Sequence, residues 1–218
     1  MTIDGIVFDL DGTLVDSVHD VRANLNLVLE GIHRRPLTMD ETKLGIGHGA
    51  RILVEKALNL TGEAGSADIT DRCTQDFLDL YVRNPIQLTP VFPDVPDVLG
   101  RLRERGFILG VCTNKPEVPT SAVLDGLGLS GYFQAVTCGD KVPHRKPDGR
   151  HVIMTLEMMG TRNAVMVGDS ETDMAAARDA GIPSIAVTYG YRHCPPENLD
   201  TDLLIEKFSD LPDALSRF

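Results

Sequence analysis

The chain has 218 residues, 42% of them hydrophobic and 24% charged, with a formal net charge of −11. Such a composition excludes a disordered chain and leaves room for one domain or two smaller ones. The acidic balance argues against nucleic-acid binding, which needs a basic surface, and any anionic substrate has to be attracted locally.

The first apolar run, GIVFDL near 5–10, ends in Asp9 and Asp11, two carboxylates that repel each other and are followed by Gly12 and Thr13. The next stretch, 16–85, contains VHDVRANLNLVLEGI, TMDETKLGI, GARILVEKALNL and TDRCTQDFLDLYVRN, all with helical spacing of apolar residues, and a polar loop, TGEAGSAD. After it comes a helical VPDVLGRLRERG, then the apolar runs FILGVC, FQAVTC, AVMVGD and SIAVT, separated by the helical patterns EVPTSAVLDGLGL, GRHVIMTLEMMG and TDMAAARDAG. Gly106, Gly160 and Gly181 stand where three of these helices should stop. Continuous rather than alternating apolarity suits strands covered on both faces, and the strand–helix alternation predicts an α/β fold with a parallel sheet. Residues 1–15 and 86–218 are expected to form that core, interrupted by a small helical domain over 16–85.

No apolar run approaches the roughly 20 residues of a membrane span, and the start MTIDGIVF has no basic region followed by a long apolar one. A cytoplasmic location without membrane contact is the expectation. The cysteines Cys73, Cys112, Cys138 and Cys194 form no C-x-x-C pair. They fit a reduced compartment, with Cys112 and Cys138 as small buried strand residues.

Ligands of open α/β sheets bind at the carboxyl ends of the strands. Asp9 and Asp11 follow the first strand there, Thr113, Asn114 and Lys115 the second, Asp169 to Asp173 the fourth, and Lys146 lies in the loop after the third. Asp9, Asp11 and Asp169 offer hard oxygen ligands suited to Mg²⁺. Lys146 and the Thr113 hydroxyl suit the oxygens of a phosphoryl group. One carboxylate can then take the phosphoryl group covalently, while Asp11 serves as general acid and base. A cation would make the paired acids tolerable. A calcium loop is a poorer fit to D-x-D-G, because Leu14 and Asp20 stand where such a loop needs Gly and Glu. Gly45, Gly47 and Gly49 lack the preceding strand and the spacing of a dinucleotide fingerprint. Asp16, Asp140 and Glu171 read as turn or supporting acids, Lys115 as catalytic or merely paired with an acid, and Arg192 and His193 as partners of acids or parts of an interface.

The motifs DLDGTLVDS, TNK, KP and GDSETD, in that order, resemble those of haloacid-dehalogenase-superfamily phosphatases, whose core is a Rossmann-like parallel sheet with helices on both faces. The helical insert resembles their cap domain, and IGHGARILVEKAL, LGLSGYF, RKPDGR and TYGY are similar to phosphoglycolate phosphatases. The resemblance implies Asp9 as nucleophile and metal ligand, Asp11 as acid/base whose backbone carbonyl meets the metal, Asp169 as metal ligand and Asp173 as its support. It implies Thr113, Asn114 and Lys146 as phosphate binders and Mg²⁺ as cofactor. His48 and Arg51, in the cap, become candidates for substrate contact. The expected activity is hydrolysis of a small anionic phosphorylated metabolite, 2-phosphoglycolate foremost; pyrophosphatase, nucleotide or sugar-phosphate phosphatase, phosphomutase and a non-enzymatic phospho-acceptor module are the alternatives. Three positions depart from the pattern: His48 where Asn or Asp is common, Asp94 where Gly is common, and Gly149 where Pro is common.

Overall fold

The computed structural model describes residues 3–218. Its sheet has the strands β1 (Gly5–Phe8), β2 (Ile108–Thr113), β3 (Ala135–Cys138), β4 (Ala164–Gly168), β5 (Ser184–Val187) and β6 (Leu203–Ile205). They run in the order β3-β2-β1-β4-β5-β6 and every pairing is parallel. Strand β6 was not expected from the sequence: it lies at the sheet edge, and its apolar run, LLI, is only three residues long. Register fixes the rest. Phe8 pairs with both Val111 and Val167, and Thr113 with Cys138, so the residues that follow these strands emerge at one rim.

Successive strand residues point to opposite faces, and the two faces of this sheet bury different partners. Ile6 and Phe8 join Val111, Val167 and the apolar side of α5 (Val95–Glu104) in the larger core. Val7, Cys112 and Met166 face the other way, onto Val152 and Leu156 of α7 (Gly149–Met159) and Ala176 and Ala177 of α8 (Glu171–Ala180). A further helix, α6 (Glu117–Gly126), connects β2 to β3. Strands sheathed on both sides explain the uninterrupted apolar runs. Cys112 and Cys138 are buried, as expected.

Between β1 and α5 the chain forms four helices, α1 (Val18–Gly31), α2 (Met39–Lys43), α3 (Ala50–Thr61) and α4 (Ala67–Arg83). Two of them carry side-chain caps. Thr38 and Glu41 close a capping box on α2, and Ser66 caps α4 through the backbone N–H of Ile69. The inserted helices bury Val21, Leu25, Leu53 and Phe77 in the same apolar cluster that holds Phe8, so insert and sheet share one core. Where the insert leaves and rejoins, Asp20 accepts hydrogen bonds from Leu88 N (2.8 Å) and the Thr89 hydroxyl (2.7 Å). No described helix is long and apolar enough to cross a membrane.

Two of the unusual positions have structural reasons. Asp94 adopts the left-handed conformation, φ 67°, at the entrance to α5, a role in which Asp is among the tolerated side chains. Gly149 begins α7 against the end of α8, donating its N–H to Asp179 Oδ2 at 2.7 Å, and a Cβ there would lie 2.6 Å from the Asp179 carbonyl carbon.

His151 on α7 is fully buried, and neither ring nitrogen meets a hydrogen-bond partner among the described residues. Burial, then the positive charge of Lys146, holds its pKa down at about 4. The unfolded chain therefore takes up this proton near pH 6.5 and the folded one does not until about pH 4. The unfolded state binds more protons in that window, so acidification destabilises the fold. Between pH 7 and 5 this single group is expected to remove about 2 kcal/mol of stability. Chemical denaturation of wild type and His151→Gln at both pH values checks it: the variant should lose less stability on acidification, and equal losses would contradict the assignment.

Candidate active site

The rim at the carboxyl ends of β1, β2 and β4 gathers the predicted polar residues. Asp9 directly follows β1, and its N–H bonds to Val167 O of β4 at 2.9 Å, which fixes its side chain beside that strand end. Lys146, 4% exposed, reaches in from the loop before α7 and donates to Asp9 Oδ1 at 2.7 Å and to Asp173 Oδ1 at 2.6 Å. Asp173 is held in turn by the capping box of α8, accepting from Ser170 N and Oγ at 3.1 and 2.7 Å. Asp169 accepts from the Thr13 hydroxyl (3.1 Å) and from Tyr191 N (2.6 Å). Gly12 has φ 91° and lies so close to the Asp169 carboxyl that any Cβ would collide with it. A glycine there lets the turn after Asp11 press against Asp169.

Oxygens of Asp9, Asp169 and Asp173 lie within 4.8 Å of one another, all three residues being buried. Within this trio the cation is Lys146, which bridges Asp9 and Asp173. Asp169 has hydroxyl and amide donors but no cationic partner among the described residues. The consequences are visible in the proton equilibria. Burial pushes Asp9 up to about 7 despite Lys146, and burial followed by the charges of Asp173 and Asp9 pushes Asp169 well above the usual carboxylate range. Lys146 is itself raised, because Asp173 and Asp9 outweigh its burial. Three buried carboxylates sharing one ammonium form a site short of positive charge, and hard oxygen donors suit a small divalent cation such as Mg²⁺. The residues fit that group.

Asp11 stands apart. Its carboxylate faces Lys115, whose ammonium lies 3.0 and 3.1 Å from the two oxygens and 3.1 Å from the Tyr81 hydroxyl. The Lys115 side chain is even more buried than that of Asp11, and its pKa is raised because Asp11 and Tyr81 outweigh its desolvation. Asn114 donates to Lys146 O (2.8 Å) and to Gly47 O (2.9 Å), joining the sheet to the insert, and its own carbonyl oxygen is buried without a partner among the described residues. Thr113, also buried, accepts from Lys115 N at 3.2 Å. Two cavities flank Asp9 and Asp11. One, about 10 Å³, is lined by Asp169, Asp173 and Lys146; the other, about 50 Å³, by Thr113, Asn114, Lys115, Tyr81 and apolar residues of the insert.

The structure thus brings together Asp9, Asp11, Asp169, Asp173, Thr113, Asn114 and Lys146. It does not bring Arg51 in. That guanidinium is half exposed on α3 and bonds to Asp71 at 2.8 Å and lies 3.7 Å from Glu55, pairings that turn it away from both cavities. His48 stops short of them as well: its Nδ1 faces Ile46 O at 3.2 Å and its ring meets His193 edge-on with centroids 5.7 Å apart. His193 in turn donates from Nε2 to Leu44 O (3.1 Å) and from its backbone N–H to Glu171, so this histidine pair belongs to the seam between insert and sheet. Asp16 and Asp140 have supporting roles, accepting from the Tyr191 hydroxyl (2.6 Å) and from Glu117 N (2.8 Å). Sequence reasoning gave too little weight to Lys115, Tyr81 and Tyr191. The TYGY motif carried a signal for the last; nothing in the spacing tied Tyr81 to Lys115.

Hard acids, a bridging lysine and a hydroxyl at the switch between strand ends define an α/β hydrolytic site. Comparison with known proteins gives the family. Residues 3–181 match the model described as haloacid dehalogenase-like hydrolase. Over 211 residues the chain is 41% identical to a phosphoglycolate phosphatase of Caulobacter vibrioides, covering 96% of this chain and 89% of that protein. It is 40% identical over 213 residues to one of Agrobacterium fabrum, covering 96% and 91%. The crystal structure of a predicted phosphoglycolate phosphatase from Haemophilus somnus superposes with a TM-score of 0.93 at 27% identity, covering 98% of each chain. This chain belongs to the haloacid dehalogenase-like hydrolase family. It is an enzyme, and its relatives are phosphoric monoester hydrolases by name.

Removing the bridging ammonium should be costly, because it leaves two buried carboxylates uncompensated. Lys146→Met is expected to lose about 3 kcal/mol of unfolding free energy measured in urea without divalent cations, and Asp173→Asn in the same chain to restore part of it. Wild-type stability in Lys146→Met would show that the acids do not depend on this lysine.

Proposed function

We propose that this chain is a Mg²⁺-dependent phosphomonoesterase working through phosphorylated Asp9, with 2-phosphoglycolate as its substrate. The observation that carries the reading is the buried carboxylate cluster at the end of β1, with Asp9 tied to Lys146 at 2.7 Å and Asp169 without a lysine or arginine partner among the described residues. Asp9, Asp169 and the backbone carbonyl of Asp11 would hold the metal, with Asp173 supporting it. When bound, Mg²⁺ supplies positive charge to the phosphoryl oxygens and offsets repulsion between them and the carboxylates.

The chain's own groups divide the remaining work. Lys146 fixes one Asp9 oxygen, leaving the other to attack phosphorus in line with the ester oxygen. Lys146 and the Thr113 hydroxyl hold non-bridging oxygens whose charge persists through transfer. Asp11, as general acid, gives a proton to the departing alkoxide as the P–O bond breaks. The carboxylate it becomes then takes a proton from water, which attacks phosphorus and returns Asp9 as a free carboxylate with release of phosphate. Helices α1–α4 serve in this reading as the cap domain over the rim, a role supported by the hydrogen bonds of Asn114 to Gly47 O and of His193 to Leu44 O. Such a cover excludes water while the leaving group departs.

Phosphate release in Mg²⁺ should be fastest from 2-phosphoglycolate among a panel including sugar phosphates, nucleotides and pyrophosphate. Asp9→Asn should lower it by at least about 10³-fold. Borohydride reduction during turnover, followed by peptide mass spectrometry, should place homoserine at position 9. Substantial turnover by Asp9→Asn, or a reduced acyl phosphate at another position, would contradict the assignment.

A further inference from the structure

We propose that Lys115, assisted by the Tyr81 hydroxyl, binds a carboxylate on the leaving-group side of the substrate and so selects short phosphorylated acids. The proposal rests on the phosphomonoesterase reading above and goes beyond it, because it assigns the group that reads the part of the substrate other than phosphate.

The argument starts from position. Phosphorus has to sit against Asp9, and the ester oxygen has to face Asp11, so the leaving group extends past Asp11 into the neighbouring cavity. Among the described residues, Lys115 is the one lysine or arginine lining that cavity. Its other walls are largely apolar, with Ile46, Leu53 and Phe77 from the insert. An anion entering an acidic protein finds no other cationic wall there among the described residues. The cavity holds about 50 Å³, and a water-sized group takes roughly 10–15 Å³ by this measure, so three to five heavy atoms fit. A carboxymethyl group has that size; a hexose or nucleoside does not.

The ammonium is also pre-positioned. It spans Asp11 of the sheet and Tyr81 of α4, donating toward both and lying 4.5 Å from the Tyr81 ring centroid. Lys115 is therefore held without a ligand by the acid that the leaving oxygen must approach. A substrate carboxylate arriving beside Asp11 meets the ammonium and the phenolic O–H together, two donors suited to its two oxygens. A neutral leaving group would place no charge against this cation, so recognition separates acids from isosteric neutral esters. Arg51, by contrast, lines neither cavity and takes no part.

The test compares 2-phosphoglycolate with 2-phosphoglycolamide, which keeps the shape and removes the charge. Wild type should prefer the acid in kcat/KM. In Lys115→Met the acid should lose about 30-fold more than the amide, mainly through KM, as expected for loss of a charge-assisted hydrogen bond. Tyr81→Phe removes one hydroxyl, keeps the ring packed, and should raise KM for the acid several-fold while the amide shifts less. Equal losses on acid and amide in both variants would overturn the proposal and leave Lys115 as a positioning residue for Asp11. If wild type hydrolyses other phosphomonoesters but shows no preference for acid over amide, the proposal fails while the phosphatase reading stands. If it hydrolyses none, both fail.

Discussion

The ammonium of Lys146, buried between Asp9 and Asp173, is the interaction on which the rest of the site depends. It joins the loop before α7 to the ends of β1 and α8 and lets two carboxylates share a space from which water is largely removed. One cation is not enough. Asp169, pressed against the same pair by the glycine turn at Gly12 and held by Thr13 and Tyr191, leaves the cluster with more negative charge than the chain itself neutralises. That deficit suits the cluster to a divalent cation, the group the proposed function calls for. It also explains why so many neutral donors are invested in orienting carboxylates here.

Architecture delivers these groups without strain in the strands. All pairings are parallel, so every strand ends at the same rim, and the register that pairs Phe8 with Val111 and Val167 puts Asp9 between the ends of β2 and β4. The insert shares an apolar core with the sheet and crosses the rim with backbone carbonyls, Leu44 and Gly47, rather than with charged side chains. The site therefore divides along the seam. The sheet holds the carboxylate cluster, and the insert supplies the apolar walls and the Tyr81 hydroxyl.

Much of this was legible in the sequence. Apolar runs ending in Asp9, Thr113 and Asp169 announced both the parallel sheet and its polar rim, because strands covered on two faces cannot hide polar residues except at their ends. The four inserted helices were legible from their periodicity. Other features depended on partners distant along the chain. Arg51 looked free for substrate until α4 brought Asp71 beside it, and Lys115 could be read as catalytic or merely paired with an acid until Tyr81 and Asp11 enclosed it. Strand β6, three residues at an edge, had too short a pattern to stand out.

The charge deficit is tested most directly by unfolding the chain with Mg²⁺ and with a chelator, in wild type and in Asp169→Asn. A ligand that binds the folded state stabilises it in proportion to the logarithm of its occupancy. Wild type is predicted to gain several degrees in Tm from millimolar Mg²⁺. Asp169→Asn is predicted to be at least as stable as wild type in chelator and to gain little from the ion. A wild-type Tm indifferent to Mg²⁺, or an equal gain in Asp169→Asn, would contradict the account.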